Sequence, residues 1–400
     1  MHTMESLASE ALFARIGQLA DNPMERMSRL ATDGHRMLGM VCPNLPEELP
    51  HALGLVPTRL VLRPTPPTRS PEVLQTFCCT WVQALLDQGM RGELAGLCGI
   101  TFACNTCDSL QNLPDIWRRT VTQPSTLYSL RFPVQGQGQA ALEMLQAEIQ
   151  LWRQSLERLV GDVLEPARLE RSTRLFNRIR GALRQLQQLA LHGEVGYSVL
   201  QAAAIASQTH PREEVLDLLE AALEHLTRAS SSPAPGAPSP RVVLVGSYLD
   251  HPRLLQWLEQ HHVTVVGDDS CSLSRTFEPE ADLDPTDPLA DMARRHLRRS
   301  PCPVQLQSAA RRAAALSQTI RRGRAEGVVL LPYKGCEPHA FDNVILAQSL
   351  DQLGVPHITL EIDPHLGGWG QITTRLEAFV EMLDGVGDDE LYPDSQAGRP

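Results

Sequence analysis

The chain has 400 residues, 42% hydrophobic and 21% charged. That profile belongs to a folded protein rather than a disordered one, and at about 100–200 residues per domain it predicts two or three domains. Its 47 acidic residues outnumber the 36 basic ones, for a net charge of −11, which argues against binding nucleic acid or a membrane surface through a broad basic face. No apolar run reaches the roughly 18 residues that a membrane-spanning helix needs.

The opening stretch, MHTMESLASEALFARIG, mixes acids with apolar residues. It lacks a basic start followed by an apolar core, so no secretory signal and a cytoplasmic location are expected. Leu12, Ile16 and Leu19 recur at helical spacing, predicting an N-terminal helical segment over 1–34. A first α/β domain is expected over 35–138. Within it, residues 44–53 read as a short helix, 58–62 as a buried strand and 71–88 as a helix closed by Gly89. Residues 94–102 and 126–134 read as further strands.

The pattern changes at 139–229, where long helical stretches follow one another without a strand-like run, as an insert or cap. Residues 230–240, SSSPAPGAPSP, are built of linker residues that cannot form a core. Clean alternation resumes over 241–400: strands RVVLVGSYL, VTVVGDDS, GVVLLPYKGC and VPHITLEID, with helical stretches between and after them. The fold class expected is α/β, with two parallel sheets covered by helices on both faces and a loose two-fold echo across the helical insert.

Nine cysteines fall at 42, 78, 79, 98, 104, 107, 271, 302 and 336. In a reducing compartment such thiols are buried, catalytic or metal-bound more often than bridged. Cys107, Cys271 and Cys336 each lie just beyond the C-terminal end of an expected parallel strand, the edge where open α/β sheets bind ligands. Three thiolates converging there suit an iron–sulfur cluster or zinc. Cys104 and Cys107 form a lone CxxC, half a zinc knuckle with no second half. Against these stands a plain alternative: buried cysteine is common in cores and needs no function, and Cys78 and Cys98 are placed there.

The text around the cysteines carries more. NTCDSLQNLPDIW, VGDDSC, GVVLLPYKGCEPHAFDNVILAQSLDQLGVPHITLEID and GQITTRLEAF occur in that order, and together they resemble the 2-hydroxyacyl-CoA dehydratase and benzoyl-CoA reductase family over roughly residues 35–385. The resemblance implies two flavodoxin-like (Rossmann-like) domains, with an iron–sulfur cluster between them held by Cys107, Cys271 and Cys336. GMVCPNLPEELPHALGLVPTRL further resembles the branch with a double-cubane cluster, an 8Fe–9S group on six cysteines, and would add Cys42, Cys79 and Cys302. Cys78 is the alternative to Cys79, and Cys104 to Cys107; a three-cysteine 4Fe–4S cluster stays open beside the six-cysteine reading.

The same resemblance implies the chemistry. A partner activator, an ATP-hydrolysing iron–sulfur protein, drives an electron onto the cluster. Dehydratases use it to convert a CoA thioester carbonyl to a ketyl radical anion that expels a leaving group, and the double-cubane branch reduces small molecules. A homodimer follows from six ligands in one chain. A paralogous companion subunit follows from three, and then this chain would be an electron-carrying half. A zinc-stabilised α/β protein is the remaining alternative.

Lys334, the only lysine, lies two residues before Cys336; its compact ammonium suits a negative cluster or a partner's carboxylate. Glu337 and His339, with Asp108, neighbour expected ligands and are candidates for proton transfer or hydrogen bonding to them, with helix-start acids favoured by the dipole as the plain alternative. Asp268 and Asp269 are expected to cap a turn, and His365 to be a solvated loop residue. Gly367, Gly368 and Gly370 precede a helix whose start can contact CoA or another anion. No GxxxxGK[ST] motif is present, so ATP is expected on the partner.

Overall fold

A computed structural model describes residues 4–134, 136–229, 239–284, 286–302 and 309–383. Most of the expected linker, 230–238, lies outside them. Two four-stranded parallel sheets form the frame. The first holds β1 (Met37–Met40), β2 (Val56–Arg59), β3 (Leu97–Cys104) and β4 (Leu127–Arg131), in the order β2-β1-β3-β4. The second holds β5 (Arg241–Gly246), β6 (Thr264–Asp269), β7 (Gly327–Leu331) and β8 (His357–Thr359), in the order β6-β5-β7-β8. The two orders are the same, so the two-fold echo of the sequence is a repeat of one flavodoxin-like topology.

Burial follows the pleat. In β5, Val242 and Leu244 face the large central core while Val243 and Val245 face a second core made with Leu316, Ile320 and Leu346. Both faces being covered explains the unbroken apolar runs of these strands. In the first sheet Leu38, Met40 and Leu130 pack on Leu145, Ile149 and Trp152 of helix Gln139–Val160.

The central core runs from Ile100 and Phe102 of β3, through the helices Pro166–Leu191, Tyr197–Thr209 and Arg212–Ala229, to Leu244 and Val329 of the second sheet. Of the helical region, Gln139–Val160 packs on the first sheet in its own core, while the other three helices share the central core. Helix Tyr197–Thr209 is buried on nearly every face, with Leu200, Ala203, Ala204 and Ala206 inaccessible.

Two local expectations shift. β1 has no counterpart among the expected strands: it is four residues long and contains Gly39, where a Cβ would stand 2.9 Å from Leu97 Cδ1. The expected 71–88 helix begins only at Thr80, after a short 3-10 turn at Ser70–Glu72, and runs to Met90. No helix among the described residues is long and apolar enough to cross a membrane.

Candidate metal centre

The strand order puts loops from both sheets at their C-terminal edges, and six cysteines ride on them or beside them. Cys42 follows β1 and Cys107 follows β3, at the point where the first sheet's order reverses. Cys271 follows β6, Cys336 follows β7, and Cys302 follows helix Pro288–Arg298. Cys79 is the residue that opens helix Thr80–Met90. Cys107 and Cys336 likewise stand at the starts of helices Asp108–Thr120 and Glu337–Gln352. The nearby backbone N–H groups of Trp81 and Val82 favour the thiolate of Cys79, those of Ser109 and Leu110 that of Cys107, and that of His339 that of Cys336, without closing a cap hydrogen bond. Helix starts favour thiolate over thiol.

These six thiols feel one another. Cys79 and Cys336 are hydrogen-bonded, as are Cys271 and Cys302. Cys42 senses Cys302 and Cys107, and Cys107 senses Cys336 and Cys302. Burial, then Cys302, pushes Cys42 up to about 12; burial chiefly pushes Cys107 up to about 11. Cys336 is raised by its bond to Cys79 and then by burial, and Cys271 by its bond to Cys302 and then by burial. Cys79, the receiving partner, is lowered. No disulfide joins any of the nine cysteines.

The other three cysteines stand apart from this set. Cys78 precedes the helix and bonds Gln75 at 3.7 Å on an exposed edge. Cys98 is half-buried beside Arg36 and Tyr128. Cys104 ends β3, buried.

Buried arginines surround the thiols, and no sequence signal marked them, because 35 of the 36 basic residues are arginine. Arg275 Nη1 stands 3.5 Å from Cys271 Sγ while the same guanidinium pairs with Asp269. Arg312 bridges Asp269 at 2.9 Å and Asp342 at 2.8 Å, close enough to bias Cys336. Arg299 donates to Pro43 O at 3.0 Å and Asn44 Oδ1 at 2.9 Å, the two residues after Cys42. Burial and the charge of Arg180 push it down to about 10. Arg275 Nε, Arg299 Nε and Arg312 Nη2 have no partner among the described residues.

The donor set thus has surplus N–H groups and buried sulfurs but no small cage. Among the described residues, no three His, Cys, Asp or Glu side chains close in tightly enough to hold one ion, as four ligands at about 2.3 Å from zinc must. A larger anionic group bound through several thiolates fits the donors present.

The expected proton-handling residues are placed as follows. Lys334 is half-exposed, with Nζ 3.3 Å from Asp363 Oδ2. Its carbonyl accepts from Thr80 N at 2.9 Å, tying the Cys336 loop to the Cys79 helix. Glu337 and Asp108 are exposed in the first turns of their helices. His339 is buried with Nε2 2.7 Å from Ser247 Oγ, and burial pushes it down to about 3, so it is neutral at pH 7. Asp268 caps its turn through Ser270 N and Ser274 N, as expected, and also accepts from Tyr197 Oη at 2.6 Å. Asp269 serves the two arginines instead of a turn. His365 lies 3.3 Å from Asp363, which besides Lys334 also accepts from Gly367 N at 2.8 Å.

Beyond the thiols lies a cavity of about 940 Å³ lined by Tyr248, Asp250, Tyr333, Asp363, Trp369 and Val61, among others. Tyr248 and Tyr333 form its inner wall: Tyr248 Oη donates to Val41 O at 3.0 Å, and Tyr333 Oη to Tyr248 O at 3.1 Å. Tyr248 also stacks on Trp81, with ring centroids 4.8 Å apart. Both tyrosines sense thiols behind them, Tyr248 those of Cys42 and Cys271, and Tyr333 that of Cys79. The two tyrosines therefore belong both to the cavity and to the surroundings of the thiols. Tyr248 could have been found from sequence by the rule that singled out the cysteines, since it too follows a parallel strand.

The family model described as 2-hydroxyglutaryl-CoA dehydratase, D-component, matches residues 42–383. The chain is 24% identical over 386 residues to the (R)-phenyllactyl-CoA dehydratase beta subunit of Clostridium sporogenes, covering 94% of this chain and 99% of that one. It is 24% identical to the (R)-2-hydroxyglutaryl-CoA dehydratase subunit beta of Acidaminococcus fermentans, with 94% and 100% covered. To a benzoyl-CoA reductase subunit of Thauera aromatica it is 21% identical, with 96% and 99% covered.

Proposed function

The chain belongs to the 2-hydroxyglutaryl-CoA dehydratase D-component family, and on that premise we propose that it is an iron–sulfur redox component whose Cys42, Cys79, Cys107, Cys271, Cys302 and Cys336 hold a double-cubane cluster, charged by an ATP-hydrolysing iron–sulfur activator. The observation that supports this reading is a set of six mutually sensing thiols, five of them buried and Cys107 half-buried, at the strand and helix ends of both α/β halves. A cluster held there supplies single electrons at low potential.

The chain's own residues do the rest. The three helix starts stabilise the thiolates of Cys79, Cys107 and Cys336. Burial pushes the Cys42 and Cys107 thiols up to about 12 and about 11 and so keeps them protonated; loading must displace those protons, so uptake rises with pH. Lys334 and Glu337, exposed beside Cys336, are assigned to contact with a partner or to proton delivery. His339, neutral and bonded to Ser247, suits hydrogen bonding at the Cys336 loop better than the role of a standing acid. The cavity behind Tyr248 and Tyr333 is assigned to substrate, and the relatives' names point to a CoA thioester.

A second reading is favoured by those same names, each of which describes a subunit, two of them beta subunits. On it the chain carries a 4Fe–4S cluster on Cys107, Cys271 and Cys336, and works beside a paralogous companion. Iron and acid-labile sulfide on anaerobically purified protein separate the two. About eight irons and nine sulfides per chain, falling when Cys42, Cys79 or Cys302 is replaced by alanine but not when Cys98 is, supports the double cubane. About four of each, indifferent to those three cysteines, supports the reading with a companion. Zinc in place of iron after anaerobic reconstitution sinks both.

A further inference from the structure

Three buried guanidiniums, Arg180, Arg295 and Arg299, crowd the buried carboxylate of Glu48, while the neighbouring Glu47 is engaged by a fourth, Arg212, at 2.7 Å. Glu48 pairs with Arg180, and Arg295 Nη1 stands 3.5 Å from it. Arg299 has no carboxylate partner among the described residues: its contacts are the neutral oxygens of Pro43 and Asn44, and its Nε is bare. Only 8% of the residue is exposed. The other two arginines near the thiols differ, since Asp269 and Asp342 balance Arg275 and Arg312. A buried cation without an anion is strongly unfavourable, and the loop that holds Arg299 begins at Cys42. Resting on the cluster reading above, we propose that Arg299 is the fixed counter-charge of the bound cluster on its Cys42 side and makes that cluster easier to reduce.

The sign follows from electrostatics at low dielectric. Each added electron makes the cluster more negative, so a fixed cation favours the reduced form. Arg299 Nη1 alone makes both hydrogen bonds to the Cys42 turn; a lysine keeps the charge but places it on a shorter-reaching, more strongly hydrated ammonium. Arg299 touches no substrate and is a positioning residue.

The test compares full-length wild type, Arg299→Met and Arg299→Lys, each assayed for iron, titrated anaerobically with a chemical reductant under spectroscopic readout, and melted with and without iron. The expected result is a midpoint potential more negative in Arg299→Met than in wild type, with Arg299→Lys between them. Iron-free Arg299→Met should melt above iron-free wild type, because the unpaired cation is gone, while the iron-loaded order reverses. An unchanged potential in a fully loaded Arg299→Met overturns the proposal. If that variant loses iron, the iron-free melt decides, and a variant no more stable than wild type overturns it. Wild type that takes up no iron overturns the cluster reading and this inference together, whereas the other two failures leave the cluster reading intact.

Discussion

His210 lies fully buried, with Thr209 Oγ1 2.9 Å from its Nδ1. Burial first, then the charges of Arg26 and Arg212, push it down to about 4. Its folded pKa is below the ordinary value near 6.5, so between those two values the unfolded chain holds more protons. Stability therefore rises with pH across that window and is lost as pH falls through it. His210→Gln should remove one proton's share of the slope, roughly 1.4 kcal/mol per pH unit near pH 5. Urea melts at pH 5 and pH 7 check this; a variant that keeps the wild-type slope would assign the acid sensitivity to other groups. Single residues of this kind act through desolvation, which depends on what packs around them and not on their neighbours in sequence.

At the scale of the element, what matters is how closely two loops approach. Gly335 has φ +72°, and a Cβ there would stand 2.9 Å from Phe77 O and 3.0 Å from Cys78 O. A side chain is strained twice, by the left-handed backbone and by a backbone neighbour that cannot move aside. Gly335→Ala should cost roughly 1–3 kcal/mol and lower iron retention, because it parts the loop of Cys336 from that of Cys79. A thermal melt together with iron content checks both effects; loss of stability with full iron would separate the turn from the metal centre. Gly89 is tight for a different reason, lying against the ring of Trp117, and closes the packing of helix Thr80–Met90 on helix Asp108–Thr120.

Across the whole molecule, the two sheets are joined at the site itself. Arg59 at the end of β2 makes a two-pronged pair with Asp250 beyond β5, both contacts at 2.8 Å and the guanidinium buried. The same guanidinium stands 5.5 Å from the centroid of Tyr248. Removing one partner leaves a buried charge, so Arg59→Met should cost about 3–5 kcal/mol, and adding Asp250→Leu should restore most of it. Denaturant unfolding of the single and double variants checks this, and a double variant as unstable as the single would point to packing rather than charge. Because Arg59 stands against Tyr248, which feels Cys42 and Cys271, the single variant should also loosen iron.

The second half of the fold could be read almost completely from sequence, because strands buried on both faces need unbroken apolar runs and their helices need the 3.6 period. The strand-end positions of Cys107, Cys271 and Cys336 came from the same patterns. β1 escaped because four residues carry no periodicity, although Leu38 and Met40 are wholly buried at the centre of the first sheet. The helix at Cys79 starts later than its apolar spacing suggests, since the chain first turns at Ser70–Glu72 and becomes helical only from Thr80. The resemblance had already grouped Cys42 and Cys302 with the other four cysteines; only the tertiary structure selected Arg299 from 35 arginines as the one beside Cys42 without a carboxylate and brought Tyr248 to both the cavity and the thiols. Those are contacts between segments far apart in the chain, fixed by packing and by the high cost of burying charge, and neither leaves a local pattern in the sequence.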